Sequence, residues 1–133
     1  MSNENKMRVV LLQPFTAARI VWIKASLDGM QAVVGGDIQA IYPFEENAAL
    51  ICDEEGKLKG SALNRGLYDD SGQLLDILCG TVFICGCGDE HFTSLTMEQA
   101  SRYAHRFRYP ELFVQENGHI RAVPIRPGKD FSR

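Results

Sequence analysis

A chain of 133 residues, 45% hydrophobic and 23% charged, has the size and make-up of one globular domain. Such a chain can bury about two thirds of its unfolded surface, so it needs no disulfide or metal staple. Its formal charge of −3 is too small to argue for nucleic acid or a strong acidic mimic. The distribution is more informative: Met1–Leu27 carries +3, Asp28–Glu98 −10 and Gln99–Arg133 +4. A fold that separates these segments has an acidic and a basic surface, and one that interleaves them neutralises both.

In chain order, residues 1–6 form a polar, frayed leader. Arg8–Leu12 (RVVLL) is a first strand, broken by Pro14, and Arg19–Ile23 pairs with it as a hairpin. Ser26 caps a short helix, with Asp28 in its first turn and Leu27, Met30, Val33 and Val34 at helical spacing. Gly35 and Gly36 end it, one of them left-handed. Ile38–Tyr42 and Ala48–Cys52 are further strands, and Asp53–Gly56 is a turn. Gly60–Leu67 has no clean period, and Asp69-Asp70-Ser71-Gly72 is a second strong turn signal. Leu74–Gly88 (LLDILCGTVFICGCG) holds the longest apolar run, and Gly80–Cys85 reads as entry into a central strand covered on both faces. Thr96-Met97-Glu98-Gln99 matches a capping box, with Leu95 placed to staple onto Ala100. The helix that follows buries Ala100, Tyr103, Ala104 and Phe107, collects arginines toward its C-terminus, and stops at Pro110. Phe113–Pro124 is a hairpin around Asn117-Gly118, and a loose tail runs to Arg133.

The chemistry-bearing residues form no strong motif. Cys79, Cys85, Cys87 and His91 are soft metal ligands, but extended chain puts Cys79 and Cys85 roughly 20 Å apart at about 3.3 Å per residue. Zinc needs its sulfur ligands within about 2.3 Å, so no metal is expected. Cys87 as a nucleophile has Asp89 and Glu90 beside it, which oppose a lowered thiol pKa. With no secretory signal and no membrane-length apolar run, the four cysteines, Cys52 included, are read as reduced thiols of a cytoplasmic protein. No glycine-rich loop has phosphate-binding spacing, and no cofactor is expected. Two sets remain. Asn64 and Arg65 sit between apolar residues, with Asp76 as a partner for Arg65, and together the three make a candidate pocket. Arg102, Arg106 and Arg108, interleaved with Tyr103, Phe107 and Tyr109, are candidate nucleic-acid contacts. The acidic turns Glu45-Glu46, Asp53-Glu54-Glu55, Asp69-Asp70 and Asp89-Glu90 offer a surface for a basic protein.

Four blocks, VVGGDIQAIYPF (Val33–Phe44), CDEEGKLKG with LNRGL (Cys52–Leu67), DILCGTVFICG (Asp76–Gly86) and FTSLTMEQASRY (Phe92–Tyr103), occur in an order that resembles a bacterial family described as the domain of unknown function 3846. The resemblance runs from about Met7 to about Phe113. It implies a small stand-alone cytoplasmic protein, with relatives mainly in Firmicutes on plasmids, integrative elements and phages, often near conjugation or anti-restriction genes. It implies no catalytic residue. Cys79, Cys85 and Cys87 stand where relatives usually carry ordinary small or apolar residues, and the segment 114–133 extends past the family-like core.

The expectation is therefore a single α+β domain: a mainly antiparallel sheet of five to seven strands, with two helices packed on one face. The function favoured is a non-enzymatic accessory protein of a mobile genetic element that binds another protein. A nucleic-acid binder using the last helix, and a small-molecule or nucleotide-binding hydrolase, are the alternatives. The sequence names neither a partner nor an oligomeric state.

Overall fold

The apolar run at the middle of the chain is two strands that part company. Gly80, with a φ of +74°, turns the chain between Leu74–Cys79 and Val82–Cys87, a backbone conformation that a Cβ would strain. In the computed structural model, which describes residues 5–126, ten strands and two helices follow in the order β1 (Lys6–Leu12), β2 (Arg19–Lys24), α1 (Leu27–Val34), β3 (Ile38–Ile41), β4 (Ala48–Asp53), β5 (Leu63–Tyr68), β6 (Leu74–Cys79), β7 (Val82–Cys87), β8 (Phe92–Thr93), α2 (Met97–Arg106), β9 (Glu111–Glu116) and β10 (His119–Pro124). The main sheet runs β2-β1-β7-β4-β3, with β8 added against the end of β7. Its pairings are all antiparallel. β5 pairs only with β6 and β9 only with β10, as separate two-stranded sheets. The expected mainly antiparallel α+β architecture is what the chain adopts.

β7 lies at the centre because it is apolar on both sides. Ile84 stands opposite Val10 of β1 and Leu50 of β4, and Phe83 opposite Leu11 and Ile51. Successive residues of a strand point to opposite faces. Val82 and Ile84 therefore join Val10, Leu12, Leu50, Ala100, Tyr103 and Phe107 in one core cluster. Phe83 and Cys85 join Met7, Val9, Ile51 and Val34 in the other. The first cluster is closed by α2 and the β5–β6 hairpin, and the second by α1. The two helices thus lie on opposite faces of the sheet, which corrects the expectation of both on one face. A central strand buried on both sides demands a cover on each side.

Local chemistry sets the element ends. Ser26 Oγ accepts from the Gly29 N–H at 3.0 Å, and Gly35, at φ +85°, closes α1. Thr96 and Gln99 form a reciprocal capping box at 3.0 and 3.1 Å. Asn117 and Gly118 both have positive φ, the requirement of a type I′ turn. The hairpin they close begins at Glu111, a little earlier than expected. Lys6, assigned to the leader, already belongs to β1. Residues 1–4 of that leader and 127–133 of the tail lie outside the described residues.

Phe83 is fully buried at the centre of this arrangement. Phe83→Ala should cost about 3–5 kcal/mol, read as a lower urea midpoint with an unchanged slope.

Candidate functional site

Asn64 and Arg65 are on β5, 0% and 1% exposed. The Asn64 amide donates to Leu12 O at 3.0 Å and Gly80 O at 2.6 Å. Arg65 donates from Nε to Phe107 O (2.7 Å), from Nη1 to Gln13 O (3.1 Å) and Asn64 Oδ1 (2.7 Å), and from Nη2 to Thr16 O (2.7 Å). No carboxylate of the described residues hydrogen-bonds it. Burial pulls the guanidinium down to about 10, so it stays charged at neutral pH. The planar fork suits this place because it reaches several carbonyls at once and is weakly hydrated. Phe107 O is moreover at the C-terminal, negative end of α2.

The third member of the candidate pocket is elsewhere. Asp76 faces solvent and pairs with Lys57 Nζ at 2.6 Å, with both side chains about half exposed or more. The structure brings Asn64 and Arg65 together and spends them on backbone carbonyls. The expected Arg65–Asp76 pair is not formed.

The cysteines are scattered over β4, β6 and β7. Burial raises all four thiols, Cys85 to about 12. Among the described residues no three His, Cys, Asp or Glu side chains converge on a point. The glycine-rich turn after β7 is closed by the Gly88 N–H donating to His91 O at 2.8 Å.

The arginines of α2 meet a distant loop. Arg102 grips Glu46 with two bonds of 3.2 Å, and the Tyr103 hydroxyl donates to the same carboxylate. These bonds, that of Arg102 first, hold the Glu46 carboxyl down at about 2. Arg106 lies over the rings of Phe44 (5.3 Å) and Phe107 (5.1 Å). Arg108 donates to His105 O at 2.7 Å and covers Tyr109, which Arg126 also approaches. The basic segment and the acidic segment are therefore interleaved here.

Between α2 and the β5–β6 hairpin runs an open groove of about 580 Å³. Glu45 and Glu46 stand on one wall, Asp69 and Asp70 on the other, and Tyr68 and Tyr103 line it. Asp69 holds its own turn, accepting from Ser71 N, Ser71 Oγ and Gln73 N at 2.7–2.9 Å. Asp70 is exposed and makes no hydrogen bond to a described residue's side chain. Two of the four acidic turns thus meet. Asp53 is instead bound to Lys59 at 2.8 Å, and Glu90 lies by the start of α1. No spacing in the sequence signals the groove, because residues 45–46 and 69–70 are brought together only by the tertiary fold.

The fold and this groove define a small α+β protein with a doubly covered antiparallel sheet and a carboxylate-walled surface cleft. No helix among the described residues is long and apolar enough to cross a membrane. The chain belongs to the family described as domain of unknown function 3846, whose profile matches residues 7–108. The match ends before β9, so the β9–β10 hairpin lies outside it. No curated protein and no solved structure matches the chain.

Arg65→Lys, whose single nitrogen cannot span four acceptors, should cost about 1–3 kcal/mol for each carbonyl left unpaired, measured by chemical denaturation. The Glu46 carboxyl is depressed from 4.5 to about 2 on folding. Its contribution is therefore present above pH ~4.5 and lost as pH falls toward ~2. Glu46→Gln should lower stability at neutral pH and flatten its decline between those limits, followed by circular dichroism.

Proposed function

We propose that the protein is a non-enzymatic accessory protein acting in the cytoplasm by binding another protein, and that a basic segment of that partner occupies the groove between α2 and the β5–β6 turn. The convergence of two acidic turns on one groove carries this reading. Four carboxylates there face two guanidinium groups, Arg102 and Arg106. The Glu46–Arg102 pair is internally satisfied, which leaves Glu45, Asp69 and Asp70 against Arg106. Exposed charges of this kind steer and select a partner more than they hold it. The mobile-element setting is what the family resemblance implies, and it supports a role defined by association.

The nucleic-acid reading is weaker on the same ground. Arg102 and Arg106 share the groove with carboxylates that repel phosphate, and Arg102 and Arg108 donate to groups of the protein itself. A pocket for a hydrolase at Asn64, Arg65 and Asp76 lacks support, since the first two are consumed by carbonyls and the third by Lys57.

Affinity capture at low salt tests the reading. The wild type should retain a specific basic protein that is released as salt rises, and Glu45→Gln with Asp70→Asn should fail to retain it. Turnover of a small molecule without any specific partner would end it. So would DNA or RNA binding that is abolished by Arg102→Ala, Arg106→Ala and Arg108→Ala.

A further inference from the structure

The outer face of the β5–β6 hairpin carries exposed leucines. Leu78 of β6 points into the core, so its neighbours Ile77 and Cys79 point away from it, and Leu75 stands at an irregularity in the hairpin register. Leu75 is 65% exposed, and Leu63, opposite Cys79 in the hairpin register, is 42% exposed. With Leu74 and Ile77 they line an open cleft of about 480 Å³. Its charged rim is the Lys57–Asp76 ion pair, which is internally neutral. Leu75 lines both this cleft and the carboxylate groove, so the two run into each other along the hairpin.

We propose that the cleft at Leu63, Leu75 and Ile77 takes a large aliphatic side chain of the same partner segment whose bases occupy the groove. The proposal rests on the basic-segment reading above and adds the partner's second recognition element. Single exposed leucines are ordinary on a protein surface. A leucine-lined cleft adjoining a groove walled by carboxylates is a different arrangement, and it matches a segment with charge at one end and an aliphatic group further along. The geometry sets the spacing. Tyr68 pairs with Leu74 beside the acidic turn, and Leu63 pairs with Cys79 at the far end. At about 3.3 Å per residue, five residues of strand separate these levels by roughly 16 Å. An extended partner segment lying along the hairpin therefore places its aliphatic side chain within about five residues of its bases. Burial of one such side chain raises affinity by about tenfold or more. The neutral rim has no role in selecting charge, so the two elements can be tested apart.

Random dodecapeptides displayed on phage and selected against the full chain provide the test, with affinities of the selected peptides measured by fluorescence polarisation. Leu63→Ser with Leu75→Ser changes only exposed positions, and circular dichroism checks that the variant is folded. The expected peptides combine Lys or Arg with a large aliphatic residue within about five positions. Their affinity should fall about tenfold or more on Leu63→Ser with Leu75→Ser, and equally when the aliphatic residue is changed to Ala. Basic peptides with no shared aliphatic position, binding that variant as well as the wild type, would overturn the cleft and leave the basic-segment reading standing. Aliphatic peptides that lack bases and ignore Glu45→Gln with Asp70→Asn would overturn the basic-segment reading instead. Failure to enrich any peptide counts against both. Concentration-dependent self-association of the wild type, abolished by the leucine variant, would assign this face to a second copy and overturn the proposal.

Discussion

The arrangement of the surface depends on a cation buried among carbonyl oxygens. Removing a guanidinium from water is costly, and here no carboxylate of the described residues hydrogen-bonds it, Glu111 acting on it only through its charge. Four hydrogen bonds offset that cost, three to backbone carbonyls and one to the Asn64 amide oxygen. The acceptors come from the segment after β1, the loop that follows it and the end of α2. Asn64 adds the last residue of β1 and the turn at Gly80. One pair of adjacent residues on β5 therefore ties the hairpin to the end of β1, the loop after it and the C-terminal end of α2. The groove walls are α2 and that same hairpin, so the separation of the acidic turns is set by a contact buried behind them.

The main sheet imposes the other constraint. An antiparallel sheet commonly leaves one face to water. Here the central strand is apolar at every residue from Val82 to Cys85, and both faces must be covered. α1 supplies a short apolar edge, through Val34 and its partly buried neighbours Met30 and Val33. α2 is much more polar and contributes Ala100, Tyr103 and Phe107 as a narrow stripe. It leaves part of its face of the sheet open, and Leu67 and Leu78 of the β5–β6 hairpin complete that layer. The hairpin's inward face is committed to the core, while its outward leucines have no cover of their own.

What could be read from the sequence was what local chemistry decides. The Ser26 cap, the Gly35 stop, the Thr96–Gln99 box and the Asn117-Gly118 turn each depend on residues within a few positions, and each is present. The central strand was legible because its apolar content has no other stable use. The side each helix takes was not, since hydrophobic spacing shows that a helix has a buried stripe without saying which face of the sheet receives it. Asn64 and Arg65 stood out because polar residues interrupt an apolar stretch. Apart from the Asn64 amide oxygen, their acceptors are backbone carbonyls, which carry no sequence signature, whereas a carboxylate such as Asp76 is visible in the sequence and invites a pairing that the fold does not make. The arginines of α2 present the same problem. They read as an open basic face because Phe44 and Glu46, which cover and bind them, lie more than fifty residues earlier.

One wall of the groove is also held from outside the segment that defines the family. Glu111, in β9 and beyond the matched residues 7–108, accepts from the Gly66 N–H at 2.7 Å and from the Tyr68 hydroxyl at 3.0 Å. Gly66 lies at an irregularity in the β5–β6 register, which frees its N–H from the ladder for this use. A Cβ there would lie 2.5 Å from Leu74 Cδ1 and 2.9 Å from the Tyr68 ring, so a side chain would have to displace the ends of both. The Tyr68 ring thus packs over the bare backbone of Gly66 and is held at its hydroxyl by the carboxylate of Glu111. The Ile125 N–H closes the appended hairpin back onto Pro110 O at 2.7 Å. A relative that shares the family segment but lacks β9 and β10 would keep the Arg65 anchor and lose the Glu111 one. Its hairpin would still pack on the sheet through Leu67 and Leu78, but the Tyr68 side of the groove would be free to shift. The family segment therefore accounts for the cover of the sheet, and the appended hairpin accounts for the rigidity of the groove's second wall.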